Sequence, residues 1–234
     1  MSQVVTITKV SIKGAAPYLG DRDADSSQPI FSKSPNQVME WLCSAWRKRF
    51  NDHRSQRKKY GKDKALIPLG ETVVELTDKQ AREEHSFLKA VPSLVLQSPE
   101  QLEAKEWFAA AKRRKTLKES GRNPGTMPKF KSYKKHDHTF TCWFNGGRNA
   151  RFQKVGRRTG IVSITGTNPR GKKHPGDKGQ RFIVRIHVRL SQDIRPYTSV
   201  RVNWTRKKLV FVNEPLSITP RVSRGQGSAI GIDR

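Results

Sequence analysis

Lysine and arginine offer most of the chemistry in this chain, 47 side chains against 20 aspartates and glutamates, for a formal charge of +27 over 234 residues. They concentrate in three runs, residues 47–64, 112–135 and 148–181. Each guanidinium or ammonium can hold a phosphate, and a compact chain with that excess repels itself unless a polyanion neutralises it. Arg47, Lys48, Arg54, Arg57, Lys58 and Lys59 stand in the first run. Lys112, Arg113, Arg114, Lys115, Lys118, Arg122, Lys129, Lys131, Lys134 and Lys135 make up the second. Arg185 and Arg189 flank His187 at alternate positions of an apolar stretch, so all three share one face of a strand. These cations are candidates for contact with a nucleic-acid backbone. Trp143 is a candidate for stacking on a base.

Other chemistries find less support. His136 and His138 bracket Asp137, but no further ligand falls at zinc spacing, so the three read as a polar loop. His187 has no partner that would make it a general base. Cys43 and Cys142 stand far apart and cannot build a four-cysteine metal site, which leaves them as small buried hydrophobes in a reducing compartment. Gly225, Gly227 and Gly231 lack the Walker and Rossmann spacings. No apolar run approaches membrane length, and the first ten residues lack the charged start and apolar core of a secretory signal. No membrane partner is therefore expected, and a cytoplasmic location is.

The elements that must position these cations follow from periodicity. Residues 4–12 alternate and are rich in β-branched side chains, which predicts a first strand. Ser34-Pro35-Asn36-Gln37 is a capping box with proline at the first helical position. Val38, Met39, Trp41, Leu42, Ala45, Trp46 and Phe50 then lay an apolar stripe along a helix, with its basic residues on the other face. Thr77 to Gln80 predicts a second helix running towards Leu88, and Ser98-Pro99-Glu100-Gln101 predicts a third start. That third helix carries Trp107 and Phe108 inward and stops at Gly121. After residue 125 the period changes to two. Strands are predicted over residues 139–145, 182–190, 199–204 and 209–212, the last two forming a hairpin. The fold expected is α+β, a small β-barrel with a helical segment inserted after its first strand.

Two stretches carry a family resemblance. The first runs through Gln101-Leu102-Glu103, Trp107-Phe108, Lys118-Glu119-Ser120-Gly121, Pro128-Lys129-Phe130-Lys131 and Thr139-Phe140-Thr141, with Phe50-Asn51 on the earlier helix. The second is Ala229-Ile230-Gly231-Ile232-Asp233-Arg234 at the end. Together they resemble the TnpB (OrfB) proteins of insertion sequences, RNA-guided RuvC-type nucleases related to type V CRISPR effectors. The resemblance implies that residues 1–32 hold the first strand of a wedge-type barrel and residues 33–126 an inserted helical recognition segment. Residues 127–226 would then supply the barrel strands and residues 227–234 the first strand of a RuvC-like domain that the chain cuts short. The implied partners are a guide RNA encoded at the transposon end and double-stranded target DNA, with a separate or missing RuvC half. Asp233 would be a catalytic metal ligand, with divalent metal (Mg) only in the complete nuclease. One carboxylate cannot hold two metals, so no cofactor and no cleavage are expected of this chain alone. The alternative is a stand-alone structural RNA- or DNA-binding protein.

Overall fold

The computed structural model describes residues 2–4, 7–19, 34–59, 77–144, 150–168, 180–214 and 216–218. Two strands, β1 (Ser2–Val4) and β2 (Ile7–Leu19), precede α1 (Pro35–Lys59), α2 (Asp78–Glu84), a 3-10 turn (Ser86–Leu88) and α3 (Ser93–Glu119). Seven strands follow: β3 (Thr139–Trp143), β4 (Ala150–Gly156), β5 (Thr159–Asn168), β6 (Gln180–Arg189), β7 (Tyr197–Asn203), β8 (Lys208–Asn213) and β9 (Leu216–Ile218). The architecture is α+β. An antiparallel sheet runs in the order β3-β7-β8-β2-β6-β5-β4, and β1 and β9 make a separate antiparallel pair.

The helical segment does follow a strand that belongs to the later sheet. β2 lies at the sheet's centre, pairing β8 through Ile7–Ser11 and β6 through Ser11–Leu19. Alternation decides which side chains go inward. Val184, Ile186, Val188 and Leu190 of β6 and its end are buried, as are Val10 and Ile12, Val200 and Val202, Leu209 and Phe211. These pack with Val38, Met39, Leu42, Cys43, Trp46 and Phe50 of α1 and Leu94, Val95 and Leu96 of α3 in one core. Burial there pushes the Cys43 thiol up to about 12 and raises that of Cys142 as well, so both are neutral packing groups.

The sheet curls without closing. Phe152 on the edge strand β4 meets the ring of Phe211 on β8 at 5.3 Å, and its N–H donates to the Tyr197 hydroxyl on β7 at 3.0 Å. In a flat sheet four or five strand spacings of about 4.8 Å would hold these residues far apart. The two edges, β3 and β4, share no ladder among the described residues, so the sheet is not a closed barrel.

Three details depart from expectation. The hairpin of β4 and β5 falls within residues 148–181, read above only as a basic run. The predicted second helix ends at Glu84 rather than running on to Leu88. The third helix begins at Ser93, not Ser98, and carries Pro99 inside it. Ser98 is no cap. Its buried hydroxyl accepts from Trp46 Nε1 and donates to the Thr141 carbonyl, both at 2.8 Å, tying α1, α3 and β3 together. The other predicted devices are present: Ser34 and Gln37 cap α1 reciprocally, as Thr77 and Gln80 cap α2. Gly121, at φ +70°, closes α3 while Arg122 N–H reaches the Leu117 carbonyl, a Schellman end that only glycine enters without strain.

Candidate nucleic-acid interface

The outward face of the sheet carries a basic groove of about 930 Å³. Lys9, Arg158, Arg189, Arg201, Arg206 and Lys208 line it, and no carboxylate does. Strand register explains the assembly. On one row Asn203 of β7 faces Lys208 of β8, which faces Ser11 of β2, which faces Arg189 of β6. On the next row Arg201 faces Val210, and Val210 faces Lys9. Arg158, in the β4–β5 turn, is held beside this face because its carbonyl accepts from Leu190 N–H at 2.9 Å. Neighbouring strands lie about 4.8 Å apart, so these charges sit side by side.

Lys9, Arg158, Arg189 and Arg201 have no ion-pair partner among the described residues. Lys208 donates to the Ser11 hydroxyl, and Arg206 pairs with Asp137 at 2.8 Å. A hydrogen bond from Asn203, then the Arg206 guanidinium, holds the Asp137 carboxyl below the usual aspartate range. Like charges set across a sheet face repel and cost stability. A bound polyanion reverses the sign of that cost.

The helical cations fare differently. Arg54 is wholly buried and belongs to no nucleic-acid face. Its guanidinium bonds Glu103 at 2.6 Å and the carbonyls of Pro128 and Lys129, and it lies against the rings of Phe50 and Trp107. Arg57, almost as buried, takes the other oxygen of Glu103. A charge removed from water must be paired, and Glu103 pairs both, with Glu106 at 3.6 Å from the Arg54 guanidinium as well. Lys48 pairs with Asp52 one turn on. Arg47 is half-buried over the Tyr133 ring, its pKa lowered by that burial. Lys131 is spent on Glu106 and the face of Phe50. For Arg54 and Arg57 burial replaces the expected phosphate role with an internal one, whereas Arg47, Lys48 and Lys131 stay partly exposed with a partner inside the protein.

The remaining predicted cations stay outward. Lys112, Arg113, Lys115, Lys118 and Arg122 are exposed on the last turns of α3 and just past them, where burial of the helix has ended at Ala110. Lys129, Lys134 and Lys135 are exposed in the connection to β3. Arg114 is half-buried and caps the Gly125 carbonyl, while Arg185 is half-buried on β6 and Arg189 joins the groove. Trp143 is not an open stacking platform: it is half-buried with Lys105 of α3 at 5.8 Å from its ring centroid. The helix covers that side of β3, which alternation alone does not reveal. Phe108, expected in the core, is instead 53% exposed under the Arg57 guanidinium. The side chains of Lys58 and Lys59, and Asp233 with the predicted strand of residues 227–234, lie outside the described residues.

Four groove residues were missed from the sequence, Lys9, Arg201, Arg206 and Lys208, while Arg158 falls in the basic run 148–181 without being singled out. Lys9 and Arg201 each occupy an outward position of an alternating strand, which is a readable signal. Their meeting depends on β2 entering between β8 and β6, which is not. Among the described residues no cluster of three or more His, Cys, Asp or Glu could hold a metal, and no helix is long and apolar enough to cross a membrane. Compared with models of known protein families the chain matches none, and comparison with curated proteins likewise finds no match, so the site rests on its own geometry.

Proposed function

We propose that this chain binds nucleic acid through its phosphate backbone, with the outer face of the sheet as the principal contact and the basic end of α3 as an arm. The groove carries this reading: six cationic side chains from β2, β6, β7, β8, the β7–β8 turn and the β4–β5 turn converge where no carboxylate lines the surface. Affinity built from such contacts falls steeply with salt, by a slope of roughly −0.9 per phosphate contact on duplex DNA. Replacing Lys9, Arg189 and Arg201 together by alanine is expected to weaken RNA and DNA binding at least tenfold and to flatten the salt slope by about 2–3, at roughly one per contact. Unchanged affinity in a folded triple variant would sink the proposal.

The finer reading is the N-terminal portion of a TnpB-like RNA-guided endonuclease, gripping guide RNA and target DNA with a wedge-type domain built on the curled, open sheet. Two features support it. A helical segment is inserted between a central strand and the rest of a curled sheet. The quoted motifs also meet: Asn51 Nδ2 donates to the Lys131 carbonyl at 3.0 Å and its Oδ1 accepts from Lys131 N–H at 2.9 Å, while Arg54 holds Pro128 and Lys129. Asp233 enters this reading by resemblance only, and no cleavage step is derived from it. Retention of one transposon-end RNA over an unrelated RNA of equal length tests the finer reading. Equal affinity for both favours a stand-alone nucleic-acid binder.

A further inference from the structure

The turn Thr205–Lys208 between β7 and β8 is a ridge with a hollow on each side. Arg206 and Lys208 line the basic groove, whereas Thr205 and Lys207 line a second cavity of about 510 Å³. That volume lies within the range of small-ligand clefts, roughly 300–1,000 Å³. The two hollows differ in chemistry. No aromatic residue lines the groove, while Tyr133, His138 and Trp204 line the cavity. Groove charge is all of one sign, but the cavity mixes signs, with Glu40 and Asp137 among Lys134, Lys135 and Lys207. Asp137 is held by Asn203 and Arg206, and Glu40, exposed in the second turn of α1, makes no ion pair among the described residues.

Lys207 has an unusual conformation. It is the one non-glycine residue with positive φ (+49°) among those described, a position that glycine or asparagine fills with less strain. Its ammonium lies 3.0 Å from the centroid of the Trp204 ring, at the cavity wall. Burial there lowers its pKa. The ring of Tyr133, half-exposed, leans on His138 at 4.6 Å.

We propose that this cavity receives one unpaired nucleobase of a strand whose phosphates occupy the groove, the turn Thr205–Lys208 marking where backbone and base part. A phosphate would meet the Glu40 carboxylate, whereas a base presents both donors and acceptors. The carboxylate accepts from an exocyclic amino group and Lys207 donates to a ring nitrogen or carbonyl, so adenine, cytosine or guanine fits better than uracil or thymine. The inference rests on nucleic-acid binding by the groove.

The test uses the full chain and a fluorescent single-stranded oligonucleotide of mixed sequence, with one base removed at each position in turn. One position is expected to cost roughly tenfold in affinity, the scale of a lost base contact, and the others little. Lys207→Gly removes the cation while relieving the backbone, so the variant folds. It is expected to level that profile and leave the salt slope of the groove intact. Glu40→Gln is expected to erase a preference for amino-bearing bases at that position. A flat profile in the unaltered protein, or a profile untouched by Lys207→Gly, overturns the cavity proposal alone. No binding of any oligonucleotide overturns the groove with it.

Discussion

The helical layer and the sheet treat the same residue types in opposite ways. Residues 34–122 hold 19 Lys and Arg against 12 Asp and Glu, and the acids are placed where the cations need them. Glu103 serves Arg54 and Arg57, Asp52 serves Lys48, and Asp78 serves Arg49. Residues 139–218 hold 17 Lys and Arg against 3 Asp and Glu, and among the described residues Lys9, Arg158, Arg189 and Arg201 meet no acid. A count of positive charge therefore misleads about where the ligand goes. What locates the proposed binding face is charge left unpaired after folding. An isolated cation on one strand is unremarkable, but neighbours at strand spacing on four strands raise the local potential together.

Removing one member of the helical network tests its half of the contrast, with the largest effect expected. Arg54→Ala leaves Glu103 buried with only Arg57 and strips the connection at residues 128–129 of its anchor. Breaking a buried pair in this way costs about 3–5 kcal/mol. Urea denaturation is the measurement, and a loss below about 1 kcal/mol would mean that water reaches the pair. If Arg54→Ala instead weakened nucleic-acid binding at full stability, the division between the two regions would fail.

On the outward side, the groove and the arm can be separated. Alanine at Lys112, Arg113, Lys115 and Lys118 removes exposed charges from the end of α3, where the only ion pair among them, Lys115 with Glu119, spans 3.9 Å at the surface. Such pairs contribute about 0.3–0.5 kcal/mol, so the melting temperature is expected to hold nearly steady. The salt slope of RNA binding should fall, but by less than in the Lys9, Arg189, Arg201 variant, because helix-end charges extend into water where screening is strong. A larger drop from the arm than from the groove would reverse the ranking.

How much of this was legible in the sequence depends on the distance between partners. Ser34 and Gln37, Thr77 and Gln80, and Gly121 are read correctly because each acts within one turn. Phe50 and Trp107 are placed inward because an apolar stripe has only one core to face. Arg54 is misread because its fate depends on Glu103, 49 positions on, and on carbonyls more than 70 positions on. Trp143 is misread because alternation reports the sheet face and is silent about a helix lying on it. The groove is half legible: outward positions follow from a period of two, but their meeting follows from strand order, and strand order is global.

Asp137 stands where the two treatments of charge touch, and it carries the smallest expected effect. Asp137 is the one acid that binds a groove cation directly among the described residues, pairing Arg206 while accepting from Asn203. Its folded pKa is lowered, first by the Asn203 hydrogen bond, so its contribution to stability is present above the unfolded value near 3.9 and is lost as pH falls through the lower folded value. Asp137→Asn should therefore lower the melting temperature at neutral pH slightly and lessen the further loss below about pH 4 by the same amount. The same substitution frees Arg206 for phosphate, so affinity should rise slightly and the salt slope should steepen by up to about 0.9, one further contact. A fall in affinity would instead mean that Asp137 holds Arg206 in the orientation the ligand needs, and the acid would then count as part of the binding face.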